Sequence, residues 1–277
     1  MTVEPLSDHR ASGRLEGRVA FITGIGSIGP GWGNGKAIAA LFAKEGAKVF
    51  GIDLNADAAA ETQAIIRADG GVCDTMQADA ASEEAVKAAV TRCMALHGRI
   101  DVLVNNVGIV NLTRITEIDE QTWDRVFAVN LKSAFFTAKH ILPIMETNGA
   151  GSIVNISSIA GIRYIGIPYV TYYATKSAML GLTRSIALEY ASKGIRANSV
   201  LPGLMDTPMV TAGLTSAYGE EGDVAGLRAV RAKQCPMGRM GDAFDVAHAC
   251  LYLASDESRY VTAAELVVDG GITQKIS

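Results

Sequence analysis

An alternation repeated along nearly the whole chain constrains its fold more than any other feature. Short β-branched runs stand at VAFIT (19–23), AKVFGI (47–52), DVLVN (101–105), GSIVNI (151–156), IRANSV (195–200) and ELVV (265–268), with a weaker one near VCDTM (72–76). Between them lie stretches of helical periodicity at 35–45, 56–69, 82–97, 122–147, 172–192 and 242–254. Near-continuous apolar strands suit a parallel sheet buried on both faces, and the intervening helices supply the cover. The expected fold class is α/β, with one doubly wound sheet of about seven parallel strands and helices on both faces.

No repeat or linker divides the pattern. Residues 1–17 are polar and aperiodic and read as a flexible N-terminal arm, leaving 18–277 as one Rossmann-type dinucleotide-binding catalytic domain. With 49% hydrophobic and 19% charged residues, the 277-residue chain has ample material for a core. A formal net charge of -4 with mixed signs argues against nucleic acid or an anionic membrane surface as partner. Cys73, Cys93, Cys235 and Cys250 lack ligand or disulfide spacing, and His9, His97, His140 and His248 do not cluster, so no metal site is expected. No signal peptide and no apolar run of membrane-spanning length is evident, and the expected location is the cytoplasm.

The stretch TGIGSIGPGWGNGKA, Thr23 to Ala37, carries six glycines and a proline directly after the first strand. It contains a literal G-x-G-x-x-G at 24–29, but such a motif should run straight into a helix, whose N-terminus then holds the pyrophosphate. Here Pro30, Gly31, Gly33 and Gly35 follow, and glycines inside a helix cost about 1 kcal/mol each. The helical pattern begins only at Ala37, Ile38, Leu41 and Phe42. The functional end of the loop is therefore read as Gly33-Asn34-Gly35, with Asn34 as N-cap. Asp53, at the end of the second strand, is placed to bridge ribose hydroxyls and repel a 2′-phosphate. No lysine or arginine flanks it, which favours NAD over NADP.

From RLEGRVAFITG (14–24) to ELVVDGG (265–271), the chain resembles the short-chain dehydrogenase/reductase family. The family's first loop reads T-G-x-x-x-G-x-G; aligned at Gly24 and at GNGKAIA, this chain carries five extra residues. The resemblance assigns the cofactor to Gly24, Ser27, Gly33, Asn34, Gly35, Asp53 and Leu54. It adds Asp79 and Ala80 at the adenine, Asn106 and Gly108 in Asn-Asn-Val-Gly, and Pro202, Gly203 and Thr207 at the nicotinamide amide. Val107 replaces the family's alanine in that turn. It also implies Asn130 as anchor of a proton-relay water, Ser158 (rather than Ser157) as catalytic serine, and Tyr172 and Lys176 as the Tyr-x-x-x-Lys pair.

Those residue types suit alcohol oxidation, in which a proton leaves oxygen while hydride leaves carbon. A tyrosine with an ordinary pKa near ~10 is a poor base at neutral pH, and a nearby cation lowers it. Tyr172 and Lys176 lie one helical turn apart. The role implied for Tyr172 is general base in oxidation and acid in reduction, with Lys176 tuning it and holding the nicotinamide ribose. Ser158 would steady charge on the substrate oxygen.

The expected activity is NAD-dependent interconversion of a secondary alcohol and a ketone. One alternative is an NADP-dependent 3-oxoacyl-thioester reductase, which Asp53 opposes. Another is an enoyl-thioester reductase, suggested by Tyr169 at a Tyr-x6-Lys spacing and by the enlarged glycine loop. A third is a non-catalytic cofactor sensor, which the complete Tyr/Lys/Ser set opposes. The substrate segments expected from the resemblance are 159–170 and a glycine-rich lid at 208–237. Ser158, Arg163, Tyr164 and Met205 are the candidate substrate contacts, with Ile159 and Ile165 adding to an apolar wall. The resemblance also implies a homotetramer paired through the long helices and the last strand.

Overall fold

Five consecutive buried residues form strand β1 (Val19–Thr23), and they divide between two cores. Val19 and Phe21 face one, Ala20 and Ile22 the other, as period-2 geometry requires of a strand covered on both sides. The same division recurs in β2 (Lys48–Asp53), where Val49 opposes Phe50 and Ile52, and in β4 (Val102–Asn105), where Leu103 opposes Val102 and Val104. The computed structural model describes residues 13–213 and 223–275, the side chains of 211–213 excepted.

With β3 (Val72–Gln77), β5 (Gly151–Ile156), β6 (Ile195–Pro202) and β7 (Glu265–Val268), these strands make a parallel seven-stranded sheet in the order β3-β2-β1-β4-β5-β6-β7. Helices α1 (Asn34–Lys44) and α2 (Ala56–Ala68) cover one face together with the late helix Ala243–Ala254. Ile38, Phe42, Ile66, Val246 and Leu251 form that core. On the other face α3 (Glu83–His97), α5 (Ser133–Asn148) and α6 (Val170–Tyr190) contribute Val86, Phe136, Ile141, Met145 and Ile186. Each fully buried side chain of this size contributes roughly 1.5–3 kcal/mol. The strand order reverses between β1 and β4, and the crevice beyond their C-terminal ends is where such sheets bind ligands.

Local chemistry sets the helix limits. Asn55 accepts the Asp57 and Ala58 amides to start α2, and Ser82 accepts the Ala85 amide to start α3. Gly98, at φ +75°, ends α3 in the left-handed conformation that glycine adopts without strain. Asp242 and Asp245 form a reciprocal capping box at the start of 243–254.

Two expectations are corrected, and a third lies partly outside the described residues. The helix expected over 122–147 is two helices, α4 (Glu120–Phe127) and α5, joined by a π-helical turn at Ala128–Lys132. A single wide turn leaves the apolar periodicity on either side almost unchanged, so the pattern hides it. The arm expected over 1–17 is anchored by its last residues: Leu15 is 1% exposed within the core, its amide bonds Glu45 O at 2.9 Å, and Arg14 pairs with Glu257 at 2.6 Å. Residues 1–12 lie outside the described residues. Within the segment expected as a lid at 208–237, α7 (Pro208–Gly213) and α8 (Val224–Gln234) are helical, while 214–222 lie outside the described residues. Asp223 caps α8 through the Gly226 amide, and Leu227 anchors it against Val210, Val110 and Leu112. The remaining helix, Ala243–Ala254, is α9.

Candidate active site

Beyond the C-terminal strand ends lies one cleft of about 1120 Å³. Its first wall is the glycine loop. Gly24 sits at φ +68°, and a Cβ built on Gly35 would stand 1.8 Å from Gly24 O, so the loop's ends touch as only glycines permit. The extra residues bulge away from this contact. Trp32 packs its ring 5.0 Å from that of Phe244 on α9, and Lys36 lies over the indole and pairs with Glu61 at 2.6 Å. Gly29 and Gly31 approach Pro208 at the start of α7.

Asn34 is not the N-cap. Gly33 occupies that position and Asn34 is the first helical residue, its Oδ1 buried without a hydrogen-bond partner among the described residues. A side chain already inside the helix cannot fold back onto the N2 or N3 amide. Asp53 joins two loops: Oδ2 accepts the Gly26 amide and Oδ1 the Asn55 amide, both at 2.9 Å. The cleft residues beside it, Ser27, Ile28, Leu54, Asn55 and Asp57, include no cation. Leu54 and Asp79 are exposed along the cleft rim and Ala80 is buried below. This glycine cradle, with its orphaned acceptor and a carboxylate set back from it, fits a dinucleotide.

The second wall is held by a buried polar ladder. Thr137 on α5 donates to Asn105 Oδ1 at 2.6 Å, Asn105 to Asn155 at 2.8 Å, and Asn155 to Thr183 on α6 at 2.8 Å. These bonds lock both helices to the ends of β4 and β5. The turn after β4 is clipped to the first loop, with the Asn106 amide on Thr23 Oγ1 and Asn106 Nδ2 on Gly24 O.

At the far end of the cleft, α6 brings Tyr172 and Lys176 beside Ser158. Lys176 is 3% exposed, donates to Ile156 O at 2.8 Å, and holds its ammonium 5.5 Å from the Tyr172 ring centre. The Ser157 hydroxyl donates to Lys176 O, leaving Ser158 as the serine facing the phenol. Asn130, in the π turn, is fully buried; it accepts the Ile109 amide at 2.7 Å and donates to Ile109 O and Thr175 Oγ1. The π turn aims Asn130 at this backbone, where a Cβ on Gly108 would lie 3.3 Å from Lys176 Nζ and 3.6 Å from Asn130 Oδ1.

Burial raises the Tyr172 pKa above the ordinary tyrosine value, while Ser158 and then Arg231 act to lower it. Burial also pushes Lys176 down to about 8. Lys176 holds its ammonium 5.5 Å from the Tyr172 ring centre and is itself weakened by burial.

Every residue expected to bind the cofactor lines this cleft, as do Ser158 and Met205; Asn130 lies behind its wall. Arg163 and Tyr164 do not line it, a second correction to the expected site. Arg163 is exposed and bonds its neighbour's carbonyl, and Tyr164 is 73% exposed against Tyr173. The 3₁₀ turn at Ile159–Gly161 swings both outward. Tyr169, weighed for its Tyr-x6-Lys spacing, lines the cleft, and one further lining residue, Arg231, was missed as a substrate contact. Tyr169, 4% exposed, meets the Tyr172 ring edge-on at 5.3 Å. Arg231, 4% exposed, enters from α8. Its position four residues after Leu227 and eight after the Asp223 cap could have marked an inward helix face.

Sequence and structural comparisons show what the chain is similar to. A family model described as enoyl-(acyl carrier protein) reductase matches residues 30–273. A 3-oxoacyl-(acyl-carrier-protein) reductase of Thermotoga maritima is 38% identical, over 94% of this chain and 99% of the relative. A cyclohexanol dehydrogenase of Acinetobacter sp. is also 38% identical, over 95% and 98%. Among solved structures, a short-chain dehydrogenase/reductase from Burkholderia xenovorans superposes with a TM-score of 0.88 at 44% identity, covering 96% of this chain and 100% of its own. A gluconate 5-dehydrogenase from Burkholderia cenocepacia, in complex with NADP and tartrate, gives a TM-score of 0.85 at 32% identity, with 95% and 98% covered. Fold and site thus define a nicotinamide-type oxidoreductase on a doubly wound sheet. The chain belongs to the short-chain dehydrogenase/reductase family.

Proposed function

We propose that this oxidoreductase is NAD-dependent and interconverts a secondary alcohol and a ketone. The observation that carries the reading is the polarity of the cleft: Asp53 without a neighbouring cation at one end, and Ser158, Tyr172 and Lys176 converging at the other. A bound nicotinamide dinucleotide supplies the hydride acceptor or donor. Gly24, Gly33 and Gly35 would admit its pyrophosphate and Asp53 its ribose hydroxyls. Ser158 would hold the substrate oxygen, and Tyr172 would take its proton in oxidation and return it in reduction. Lys176 would hold the nicotinamide ribose, and Asn130 would orient the water that carries the proton onward.

A nicotinamide bears positive charge in its oxidised form, and that charge supports the phenolate which burial alone opposes. The test is titration with NADH and NADPH, followed by secondary alcohols with the preferred cofactor. NADH binding tens of times tighter, with turnover of an alcohol, supports the reading. Tight NADPH binding instead moves the 3-oxoacyl-thioester reductase into first place.

The enoyl-thioester reading keeps one specific observation, Tyr169 lining the cleft against Tyr172. Paired variants separate the two. Tyr172→Phe is expected to lower ketone reduction by about 10²–10⁴-fold and Tyr169→Phe by less than about tenfold. The reverse order, with reduction of an enoyl thioester, would select the other chemistry.

A further inference from the structure

Helix α6 offers two faces at this end of the cleft. Tyr172 and Lys176 line the cleft itself. Tyr173 and Ser177, also one helical turn apart, meet the segment 161–167 instead. The Ser177 hydroxyl donates to Gly161 O at 2.7 Å. The Tyr173 phenol accepts the Ile165 amide and donates to Ile167 O, both at 3.0 Å. Between those two bonds Gly166 sits at φ +85°, a turn that glycine makes without strain. The Tyr173 ring also stacks 4.9 Å from that of Tyr169, at an interplanar angle of 25°. Tyr169 in turn meets the Tyr172 ring edge-on at 5.3 Å. Ile165, Ile167, Tyr169, Tyr172 and Tyr173 thus belong to one apolar cluster, with Val110 and Leu112 packed on it. Val110, Ile165, Tyr169 and Tyr172 line the cleft, whereas Tyr173 stands behind that wall.

We propose that Tyr173 is a positioning residue: it preforms the apolar wall beside Tyr172 and so selects alcohols and ketones with a bulky apolar group next to the reacting carbon. A short segment turning at a glycine has many conformations open to it, and ordering it on binding would subtract from substrate affinity. The phenol removes that cost in advance by holding Ile165 and Ile167, and the ring holds Tyr169 against Tyr172. An apolar group entering the cleft then meets a wall already in place and gains the full benefit of leaving water. Tyr173 acts through Ile165 and Tyr169 and touches no reacting atom. The inference rests on the alcohol/ketone reading and narrows its substrate class.

The test uses the whole protein in three forms: native, Tyr173→Phe, which keeps the ring stack and loses both hydrogen bonds, and Tyr173→Leu, which loses both features. Two readouts need no turnover. Hydrogen exchange of the Ile165 amide should quicken by at least about tenfold in Tyr173→Phe, with the amides in the middle of α6 unchanged. Calorimetry with the oxidised form of the preferred cofactor present should show native protein binding acetophenone at least about 30-fold more tightly than acetone. That ratio should fall to about a third or less of its native value in Tyr173→Phe and further in Tyr173→Leu, with cofactor affinity unchanged. In turnover of 1-phenylethanol the loss should appear in KM, with kcat within about threefold and its pH dependence unmoved. Should Tyr173→Leu fail to fold, Tyr173→Phe alone decides. Unchanged exchange at Ile165, or equal binding of the two ketones by native protein, overturns the proposal and leaves the alcohol reading intact. A ratio that keeps its native value while both affinities fall together marks a purely structural role and also overturns it. Binding of neither ketone and turnover of no alcohol by native protein overturns both readings together.

Discussion

Lys176 shows how a single residue couples the fold to the chemistry. Its ammonium has one backbone acceptor, Ile156 O, and burial lowers its pKa to about 8. The unfolded chain holds this proton up to about 10.5, so between about 8 and about 10.5 the unfolded state binds more protons and stability rises with pH. Below about 8 the charge is present in both states and the burial penalty is complete, on the order of 3 kcal/mol. Thermal midpoints of native protein and Lys176→Met, measured without cofactor, should therefore differ by an amount that shifts in favour of the native protein as pH rises from 8 toward 10. A pH-independent difference would contradict this. Asp53 works through both oxygens. Asp53→Ala should relax the NAD/NADP preference by tenfold or more, and leave the Gly26 and Asn55 amides without acceptors at about 1–3 kcal/mol of stability. An unchanged cofactor ratio would end the carboxylate argument. Asp53, Ser158, Tyr172 and Lys176 could be assigned from the chain because each stands in a motif tied to a strand or helix end. Arg231 stands in no such motif, and only its spacing from Leu227 and the Asp223 cap, within a helix of mixed polarity, marks the inward face.

Element by element, the enlarged glycine loop is where the local pattern says least. Its glycines admit many conformations, and its direction is set by Trp32 on Phe244 and by the approach to Pro208. The loop thereby joins the glycine wall of the cleft to α7. Deleting Ile28–Trp32 is expected to raise the NAD dissociation constant and, through the loss of contact with α7, the KM for alcohol as well. A rise in only one of the two, read by fluorescence titration and initial rates, would show that the loop serves a single end. Gly35→Ala places a methyl 1.8 Å from Gly24 O, so the loop must open; cofactor affinity should fall more than stability, because the sheet below is untouched. The π turn at Ala128–Lys132 carries a similar lesson. Asn130 was legible from its motif, but the break that aims it was not, since one widened turn preserves the apolar stripe on each side.

For the whole molecule, two cores on a single sheet make stability depend on both helical layers and on the segment that leads into β1. Leu15 closes the edge of the first core, and Leu15→Ala should cost about 2–5 kcal/mol, measured by denaturant unfolding. A cost below about 1 kcal/mol would mean that residues 13–17 merely rest on the surface. The assembly expected from the family resemblance, a homotetramer, would cover the exposed Phe135 on α5 and Leu188 on α6. Sedimentation should then give a mass about four times that of the chain, and charge substitutions at both positions should dissociate it. Among the described residues no helix is long and apolar enough to cross a membrane. Burial pushes Cys73 and Cys93 up to about 12, which keeps these thiols unreactive at neutral pH.

What the sequence determined by itself was the sheet, the order of its layers and the residues at the strand ends. The seven strands stand within a residue or two of the apolar runs, because a strand buried on both faces must be apolar throughout and that requirement is local. The reading of the motifs belongs to the same class, since a turn or a helical pair needs only near neighbours. Tertiary structure alone decided that Arg163 and Tyr164 face solvent and that Leu15 anchors the arm. It also decided that Tyr172 is held above the ordinary tyrosine pKa when the protein stands alone. These outcomes depend on burial and on charges from elements distant in the chain. Desolvation and Coulomb energy are set by what surrounds a group in space, and no spacing along the sequence records them.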